Sequence, residues 1–292
     1  MSGGRTMRTA LITGGNSGIG KETAVALAAQ GLDVTITARD QDKGAAALDE
    51  IRGRSGSDSV AVAALDLASF GSVRSCAAGF TADHERLDVL VNNAGGVLGR
   101  RRVTADGHEM QFQVNHLGHF LLTHLLRDRL IAAVPARVVN VASDAHKGAR
   151  DGLHFDDLDW ERRRYRAFRA YSETKLMNIL FTRELARRWD GTGVTANAVH
   201  PGFVASRFAK EGDLGWWGNI GMPLTRPFSI SPEKGARTPV YAATSPDLDG
   251  VTGQYLAKSR LAQPAKWARD DDAAARLWEI SAELTGVGPT GR

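Results

Sequence analysis

The sequence has 292 residues, of which 42% are hydrophobic and 24% are charged, so it can fill a sizeable core and does not indicate disorder. The formal net charge is only +4, and no nucleic-acid motif surrounds the arginine runs at 100–102 and 162–164. We therefore expect these runs to lie in solvated loops and expect no nucleic-acid partner. Cys76 is the only cysteine, which excludes an intramolecular disulfide. With no long apolar run and no signal-like N-terminus, we expect a soluble, cytoplasmic protein without a membrane anchor.

Short apolar runs alternate with helical patterns along the whole chain. Strands are predicted at 8–13, 33–38, 60–65, 87–92, 137–142, 194–199 and 254–256, and helices at 18–30, 70–82, 104–130 and 171–189. Two irregular stretches, 144–170 and 202–233, interrupt the pattern. The alternation predicts an α/β protein with a Rossmann-type, doubly wound parallel sheet, forming a single domain over residues 1–292.

A glycine-rich turn, TGGNSGIG at 13–20, joins the first predicted strand to the first helix. Gly14 allows a tight turn, Gly18 lets the backbone approach a pyrophosphate, and Gly20 lets the helix pack on the strand. The helix N-terminus offers free N–H groups and the positive end of its dipole to phosphates. A simple structural turn is the alternative, but the position inside a β-α-β unit favours dinucleotide binding, with the remaining contacts made by Asn16, Ser17 and Ile19.

The residues after the second and third strands indicate which dinucleotide binds. Arg39 follows Ala38 where NAD-binding proteins carry an acidic residue, and a guanidinium suits a 2′-phosphate, so we predict NADP(H). A surface arginine is the alternative, and Asp40 is close. Asp66 and Leu67 follow the third strand beside the expected adenine position. Asp66 is suited to bonding the adenine amine and equally suited to capping the next helix.

Four features in this order resemble the short-chain dehydrogenase/reductase family: the turn at 13–20, Asn92-Asn93-Ala94-Gly95, Ser143, and Tyr171-Ser172-Glu173-Thr174-Lys175. The segments 86–95, 114–120, 179–186 and 277–281 are similar to its retinol dehydrogenase and WW-domain oxidoreductase-like branch. The resemblance implies hydride transfer between the cofactor and an alcohol/carbonyl pair. It also implies that Asn115 serves a proton relay through water and that Lys175 bonds the nicotinamide ribose. The membrane-anchoring N-terminal segment common in the vertebrate members is not matched.

The chemistry also follows from residue types. Tyr171 and Lys175 are four apart on a predicted helix and share a face. One ammonium at about 4.5 Å is worth roughly 3 to 4 kcal/mol at an effective dielectric of 20, enough to move a phenol pKa of about 10 towards neutrality. Tyr171 can then act as general acid and base, while Ser143 holds the substrate oxygen. The alternative is an exposed helix pair without function.

Further residues follow the later strands. We expect Asn92, Ala94 and Gly95 to line the adenine-ribose side, and the nicotinamide to be flanked by Pro201, Gly202 and Val204. Ordinary turn chemistry is the alternative for both groups. Three histidines could suggest a metal, but hydride transfer needs none and no zinc motif is present, so we expect satisfied or surface side chains at His116, His119 and His124.

The stretch 203–232 is rich in aromatic residues with glycines between them, which predicts a movable flap over a small apolar substrate, or else a satellite core.

A rival function is a catalytically silent NADP-binding sensor or scaffold. A nucleotide-sugar epimerase or dehydratase is disfavoured because the expected substrate domain is missing. Homo-oligomers could form through 104–130 and 171–189, unless the insertion 144–170 covers that face.

Overall fold

The computed structural model describes residues 7–202 and 230–288. Within these residues one sheet contains eight strands in the order β3-β2-β1-β4-β5-β6-β7-β8. The strands are β1 Thr9–Ile12, β2 Asp33–Ala38, β3 Val60–Ala64, β4 Val89–Asn92, β5 Ala136–Val141, β6 Val194–His200, β7 Tyr255–Ala257 and β8 Arg260–Ala262. β1 to β7 pair in parallel, which confirms the predicted doubly wound sheet, and β8 adds an antiparallel edge that the sequence did not predict.

Helices cover both faces of this sheet. They are α1 Gly18–Ala29, α2 Gln41–Ser55, α3 Phe70–Asp83, α4 Met110–Phe112, α5 Gly118–Leu125, α6 Arg127–Ala132, α7 Ala167–Arg188, α8 Pro232–Thr244 and α9 Asp271–Thr285. Successive strand residues point to opposite faces, so in β1 Ile12 packs with α1, α2 and α8 while Leu11 packs with α3, α5, α7 and α9. No helix of the described ranges combines the length and apolarity that a membrane crossing requires.

The sheet reverses its direction of winding between β1 and β4, which are neighbours although β2 and β3 lie between them in the chain. Ligands bind open α/β sheets at the carboxyl edge beside such a reversal. The glycine turn follows β1 at this edge, and the segment from Asn92 follows β4. Ser143 comes after β5 and Pro201 after β6. The topology therefore brings the sequence-predicted cofactor and catalytic segments to one edge.

The prediction of one long helix at 104–130 is wrong about where the helix begins and about its continuity. Thr104 to Gly107 form a turn, and Val103 bridges to Glu109. The carboxylate of Glu109 then accepts the N–H of Phe112 at 2.8 Å, so the helix begins at Met110. A π-helical turn, Gln113–Leu117, and a break at Leu126 divide the rest of this segment.

Other boundaries also differ from the prediction. α7 begins at Ala167 instead of Tyr171, and α8 begins inside the stretch expected to be irregular up to residue 233. The sequence pattern did not reveal α2, α8 and α9. All three have side-chain caps: Asp40 accepts the N–H of Lys43, Ser231 accepts that of Lys234, and Asp270 accepts that of Ala273. Pro239 inside α8 disguises its helical pattern.

The arginine run at 162–164 is only partly solvated, contrary to expectation. Arg162 is exposed beside Asp156, but Arg163 turns inward, where it pairs with the buried carboxylates of Asp157 and Glu173 at 3.0 Å each. Buried carboxylates need a partner, which explains why this guanidinium leaves solvent. These ion pairs attach the insertion to α7.

The C-terminal helix α9 packs across α5 and α7, and the insertion 144–170 also contacts α7. Trp278 of α9 is buried with its ring centroid 5.1 Å from that of Phe120 and 6.0 Å from that of Phe181. Leu158 of the insertion belongs to the same buried apolar cluster as Leu176 of α7. The aromatic part of the α5–α7 face is therefore covered within the chain itself.

Candidate active site

The turn between β1 and α1 is shaped for close backbone approach. Gly14 and Gly18 have φ of +65° and +56°, in the left-handed region that favours glycine. A Cβ on Gly20 would lie 2.4 Å from the Gly14 carbonyl oxygen, and one on Gly15 would lie 2.5 Å from the Ile36 side chain. Gly20 is thus required because it lies against the turn itself. Gly15 is also required, although the motif alone did not single it out.

The N-terminus of α1 stands at this turn. Ser17 is its N-cap residue and makes no side-chain cap hydrogen bond, while Ile19 is buried and Asn16 half-buried. Free N–H groups and the positive end of a helix dipole suit the pyrophosphate of a dinucleotide. The glycines leave no side chain in the way, so these residues fit the cofactor that the sequence implies.

Buried polar groups hold the turn from beneath. The Thr13 hydroxyl accepts the N–H of Asn93 at 2.8 Å and that of Ala94 at 3.0 Å. The Asn93 amide donates to the Thr13 carbonyl at 2.8 Å. The sequence motifs contain Thr13 and Asn93, but neither was assigned a role in the site. These bonds fix the end of β4 against the end of β1.

Arg39 and Asp40 follow β2 and have different roles. The Arg39 side chain is exposed at the carboxyl edge. The Asp40 carboxylate is committed to α2, where it accepts the Lys43 N–H at 3.1 Å and pairs with its ammonium at 2.9 Å. The hydrogen bond from the Lys43 ammonium, followed by the capping bond from its backbone N–H, holds the pKa of Asp40 below its usual range. The carboxylate that could have repelled a 2′-phosphate is therefore turned to the helix.

The loops after β3 and β4 place their predicted residues differently. Asp66 does not cap α3, because that cap is Ser69; its carboxylate instead accepts the N–H of Ala68 at 3.0 Å. Leu67 is buried against Gly118, whose Cβ would lie 2.9 Å from its side chain. The Asn92 side chain is turned into the interior, where its amide donates to Thr123 and to Asn140. Its backbone alone can face a ligand.

Ala94 and Gly95 are half-buried at the carboxyl edge, and Gly95 has φ of +150°. A Cβ on Gly95 would lie 2.5 Å from the Asn115 amide oxygen, so this glycine permits the approach of Asn115. Pro201 and Gly202 follow β6 at the same edge, with Gly202 at φ +95°. Val204 and the rest of the predicted flap up to residue 229 lie outside the described residues.

Ser143, Tyr171 and Lys175 come together on β5 and α7. The side chains of Ser143 and Tyr171 are hydrogen-bonded to one another. The Ser143 hydroxyl also accepts the Ala145 N–H at 3.1 Å, because Ser143 caps the short 3₁₀ turn Asp144–Gly148. The Lys175 ammonium donates to the Val141 carbonyl at 2.9 Å and lies 5.5 Å from the centroid of the Tyr171 ring. The sequence-predicted triad is thus assembled in one place.

Asn115 lies in the π-helical turn and faces this cluster. Its amide oxygen accepts the Gly96 N–H at 2.8 Å, and its amide nitrogen donates to the Gly96 carbonyl and to the Thr174 hydroxyl at 3.0 Å each. π-helical turns inside helices are rare and concentrate at functional sites. Here the turn lets Asn115 reach the β4 loop and α7 together.

Burial dominates the electrostatics of the pair on α7. It raises the pKa of Tyr171 to about 12, with the hydrogen bond to Ser143 acting against it. Burial lowers the pKa of Lys175 to about 8. The expectation that Lys175 brings the phenol pKa towards neutrality is therefore wrong for the protein alone. In this environment both side chains favour their neutral forms more than they would in water.

The comparisons with known proteins agree with this arrangement. The model of the family described as short chain dehydrogenase matches residues 8–154. Human (Homo sapiens) retinol dehydrogenase 12 is 44% identical over 280 residues, covering 96% of this chain and 87% of its own length. The chain belongs to the short-chain dehydrogenase/reductase family.

Two solved structures extend the comparison. The crystal structure of an uncharacterised protein from Mycobacterium paratuberculosis has a TM-score of 0.77 at 36% identity, covering 96% of this chain and 94% of that one. The Pseudomonas aeruginosa RhlG/NADP active-site complex has a TM-score of 0.68 at 26% identity, covering 86% and 94%. The resemblance to the retinol dehydrogenase branch and the Rossmann-type fold are thereby confirmed.

The three histidines singled out from the sequence are all largely buried and have partners. His116 contacts the Ser281 hydroxyl at 2.8 Å, His119 contacts the Thr13 hydroxyl at 2.9 Å, and His124 contacts the Phe120 carbonyl at 2.8 Å. In the described parts of this oxidoreductase no group of three His, Cys, Asp or Glu residues is placed to hold a metal. Cys76 is buried among apolar side chains, which raises its pKa to about 11 and makes it a packing residue.

Proposed function

We propose that this oxidoreductase uses NADP(H) to interconvert an alcohol and a ketone or aldehyde on a small apolar substrate, with Tyr171 as general acid and base. The observation that carries the proposal is the hydrogen bond between Ser143 and Tyr171 at the carboxyl edge of the sheet, beside the glycine turn. A nicotinamide cofactor, when bound, supplies or takes the hydride. The remaining work falls to side chains of this chain.

In the reducing direction the substrate oxygen gains a proton as negative charge develops on it. Ser143 and Tyr171 are both hydroxyl donors, and because they bond to each other they converge on one point where such an oxygen can sit. With a pKa of about 12, Tyr171 carries its proton at neutral pH and can donate it from Oη. The raised pKa therefore suits reduction better than oxidation.

Lys175 acts from behind the phenol. Its ammonium is held by the Val141 carbonyl at 2.9 Å, which fixes it 5.5 Å from the Tyr171 ring centroid. Its charge stabilises the phenolate that forms when the proton leaves, and an ammonium in this position can also bond the nicotinamide ribose. Asn115 would hold a relay water that returns the proton from solvent.

The preference for NADP(H) rests on the two residues that follow β2. Arg39 is exposed where the adenine ribose is expected, and Asp40 is engaged with Lys43 instead of facing a phosphate. A guanidinium matches a 2′-phosphate in charge and fork geometry. The name of the Pseudomonas aeruginosa complex, which includes NADP, supports the same choice.

Turnover tests the proposal directly. The purified chain is assayed with NADPH against retinal, aromatic ketones and a terpenoid ketone, and Tyr171→Phe is compared with Tyr241→Phe, a change in α8 at a tyrosine whose hydroxyl bonds Asp247. We expect Tyr171→Phe to lose about 10²- to 10⁴-fold in kcat while still binding NADPH. NADPH binding without turnover on any carbonyl would instead support the sensor or scaffold function.

The apolar character of the substrate is tested by a series. We expect kcat/KM to rise along ketones of increasing chain length by up to about 4-fold per methylene, from about 0.8 kcal/mol of burial each. The sequence predicts that Trp216 and Trp217, outside the described residues, contribute to this slope, so their alanine variants should flatten it. A flat series, or a preference for a sugar, overturns the apolar assignment.

A further inference from the structure

A buried imidazole lies between the nucleotide turn and the π-helical turn. His119 of α5 is 3% exposed, and its Nε2 is 2.9 Å from the Thr13 hydroxyl oxygen. Its Nδ1 is 3.3 Å from the backbone carbonyl oxygen of Asn115. Nothing in the reaction described above uses this side chain.

The partners fix how the ring is protonated. The Asn115 carbonyl can only accept, so the hydrogen lies on Nδ1 and Nε2 is the acceptor. The Thr13 hydroxyl, which already accepts the N–H groups of Asn93 and Ala94, then donates to Nε2. Burial lowers the pKa of His119 to about 3, so the ring stays neutral and keeps one donor and one acceptor.

These bonds are part of a longer buried chain. It runs from Thr13 beneath the glycine turn, through His119, to Asn115, and from the Asn115 side chain to the Thr174 hydroxyl. Thr13, Asn115 and Thr174 are each at most 2% exposed. Thr174 lies on α7 between Tyr171 and Lys175, so the chain of bonds joins the nucleotide turn to the catalytic helix.

We propose that His119 is a positioning residue that connects the cofactor turn with Asn115. It holds two separate backbone features at once: the end of β1, through the Thr13 hydroxyl, and the π-helical turn, through the Asn115 carbonyl. This inference rests on the proposed function, because it assigns His119 to the placement of a relay group. The two ends of the ring predict two separable effects.

Two substitutions separate the ends. The amide of His119→Asn reaches only the place of Nδ1 and can keep the bond to the Asn115 carbonyl. The amide of His119→Gln reaches the place of Nε2 and can keep the bond to Thr13. Leaving a buried polar group without its partner corresponds to about 5- to 150-fold in an equilibrium or rate. In His119→Asn the Thr13 hydroxyl can still donate to the Val91 carbonyl, 3.4 Å away. We therefore expect the effect of breaking the bond between Thr13 and His119 to be at the lower end of that range.

The measurements are the NADPH dissociation constant, by fluorescence titration, and kcat with the best carbonyl. We expect His119→Gln to keep the dissociation constant within about 2-fold and to lower kcat by roughly 5- to 100-fold. We expect His119→Asn to weaken NADPH by about 2- to 10-fold with a smaller loss of kcat. His116→Gln is the matched control, since His116 is equally buried one turn earlier but contacts Ser281 of α9.

The outcomes distinguish this inference from the proposed function. Parallel losses of affinity and kcat in both His119 variants, or losses no larger than in His116→Gln, overturn the positioning role. The imidazole nitrogens give a readout free of activity, because ¹⁵N spectra should show the neutral Nδ1–H form, and an Nε2–H form contradicts the bond to Asn115. If the wild type turns over no carbonyl but the NADPH affinities and ¹⁵N spectra follow the expected pattern, the proposed function fails and the connection stands.

Discussion

The Lys175 ammonium lies beneath the Tyr171 ring, 5.5 Å from its centroid, and is held there by the Val141 carbonyl. The spacing of four residues on α7 brings the two side chains to one face, and β5 then determines where the ammonium points. Because both groups are buried, desolvation sets the direction of both pKa shifts in the protein alone. The pKa of Tyr171 therefore rises and that of Lys175 falls, whereas the spacing alone predicted a lowered phenol pKa.

The pH profile of reduction follows from these shifts. Tyr171, with a pKa of about 12, remains a proton donor through neutral pH, whereas Lys175, with a pKa of about 8, loses its charge as the pH rises through 8. We expect kcat/KM for reduction to be level below pH 8 and to fall above it, since this quantity reports the free enzyme. In Lys175→Met the overall rate should be lower and the break near pH 8 absent; a break that survives in this variant belongs to another group.

Cofactor choice is predicted to depend on Arg39. A charge-assisted bond to a 2′-phosphate contributes about 1.5 to 3 kcal/mol, or roughly 10- to 150-fold in affinity. Arg39→Ala should weaken NADPH by that factor and leave NADH nearly unchanged, as measured by two fluorescence titrations. Arg162→Ala is the control, because Arg162 is an exposed arginine that pairs with Asp156 in the insertion. Equal losses for both cofactors would identify Arg39 as a structural residue.

Two glycines in helices are predicted to respond to alanine in opposite ways. A Cβ on Gly20 meets the Gly14 carbonyl oxygen at 2.4 Å and the Asn93 amide at 2.5 Å, whereas one on Gly53 of α2 meets nothing within 4 Å. Gly20→Ala should cost about 1 to 3 kcal/mol of unfolding free energy and abolish tight NADPH binding. Gly53→Ala should gain up to about 1 kcal/mol and leave binding intact. Urea unfolding and NADPH titration of both variants check this; two variants that behave alike contradict it.

The sequence predicted those parts of the site that local spacing determines. The glycine turn, Ser143 after β5, and Tyr171 with Lys175 on α7 each follow from a motif on one element, and the topology then brings them to one edge. The bonds beneath the turn were not predictable in this way. Asn93 meets Thr13 across 80 positions and His119 meets Thr13 across 106, so only the assembled fold shows them.

The fold boundaries that the sequence missed have similar causes. The π-helical turn at Asn115 leaves the apolar pattern of 104–130 almost unchanged, so the periodicity indicates a single helix. The interior position of Asn92 likewise depends on Asn140 and Thr123, which come from β5 and α5. The motif places Asn92 at the end of β4 but could not assign the direction of its side chain.

Acid is predicted to destabilise the fold through three buried histidines. Burial lowers the pKa of His116 and His119 to about 3 and that of His124 to about 4. In the unfolded chain histidine has a pKa of about 6.5, so below that pH the unfolded state binds protons that the folded state does not. Stability from this source is therefore fully present above about pH 6.5 and is lost progressively as the pH falls towards the folded pKa values.

The size of this loss can be checked with one variant. Between pH 7 and pH 5 each such histidine reduces the free energy of unfolding by about 2 kcal/mol, so three remove about 6 kcal/mol, a large part of a typical total of about 5 to 15 kcal/mol. His124 has an unpartnered Nε2 and packs on Phe120 and Trp278 at ring distances of 4.2 and 4.8 Å. His124→Phe keeps an aromatic ring there and should shrink the loss between pH 7 and pH 5 by about 2 kcal/mol in urea unfolding. An unchanged pH dependence in that variant would mean that His124 titrates in the folded protein as it does in water.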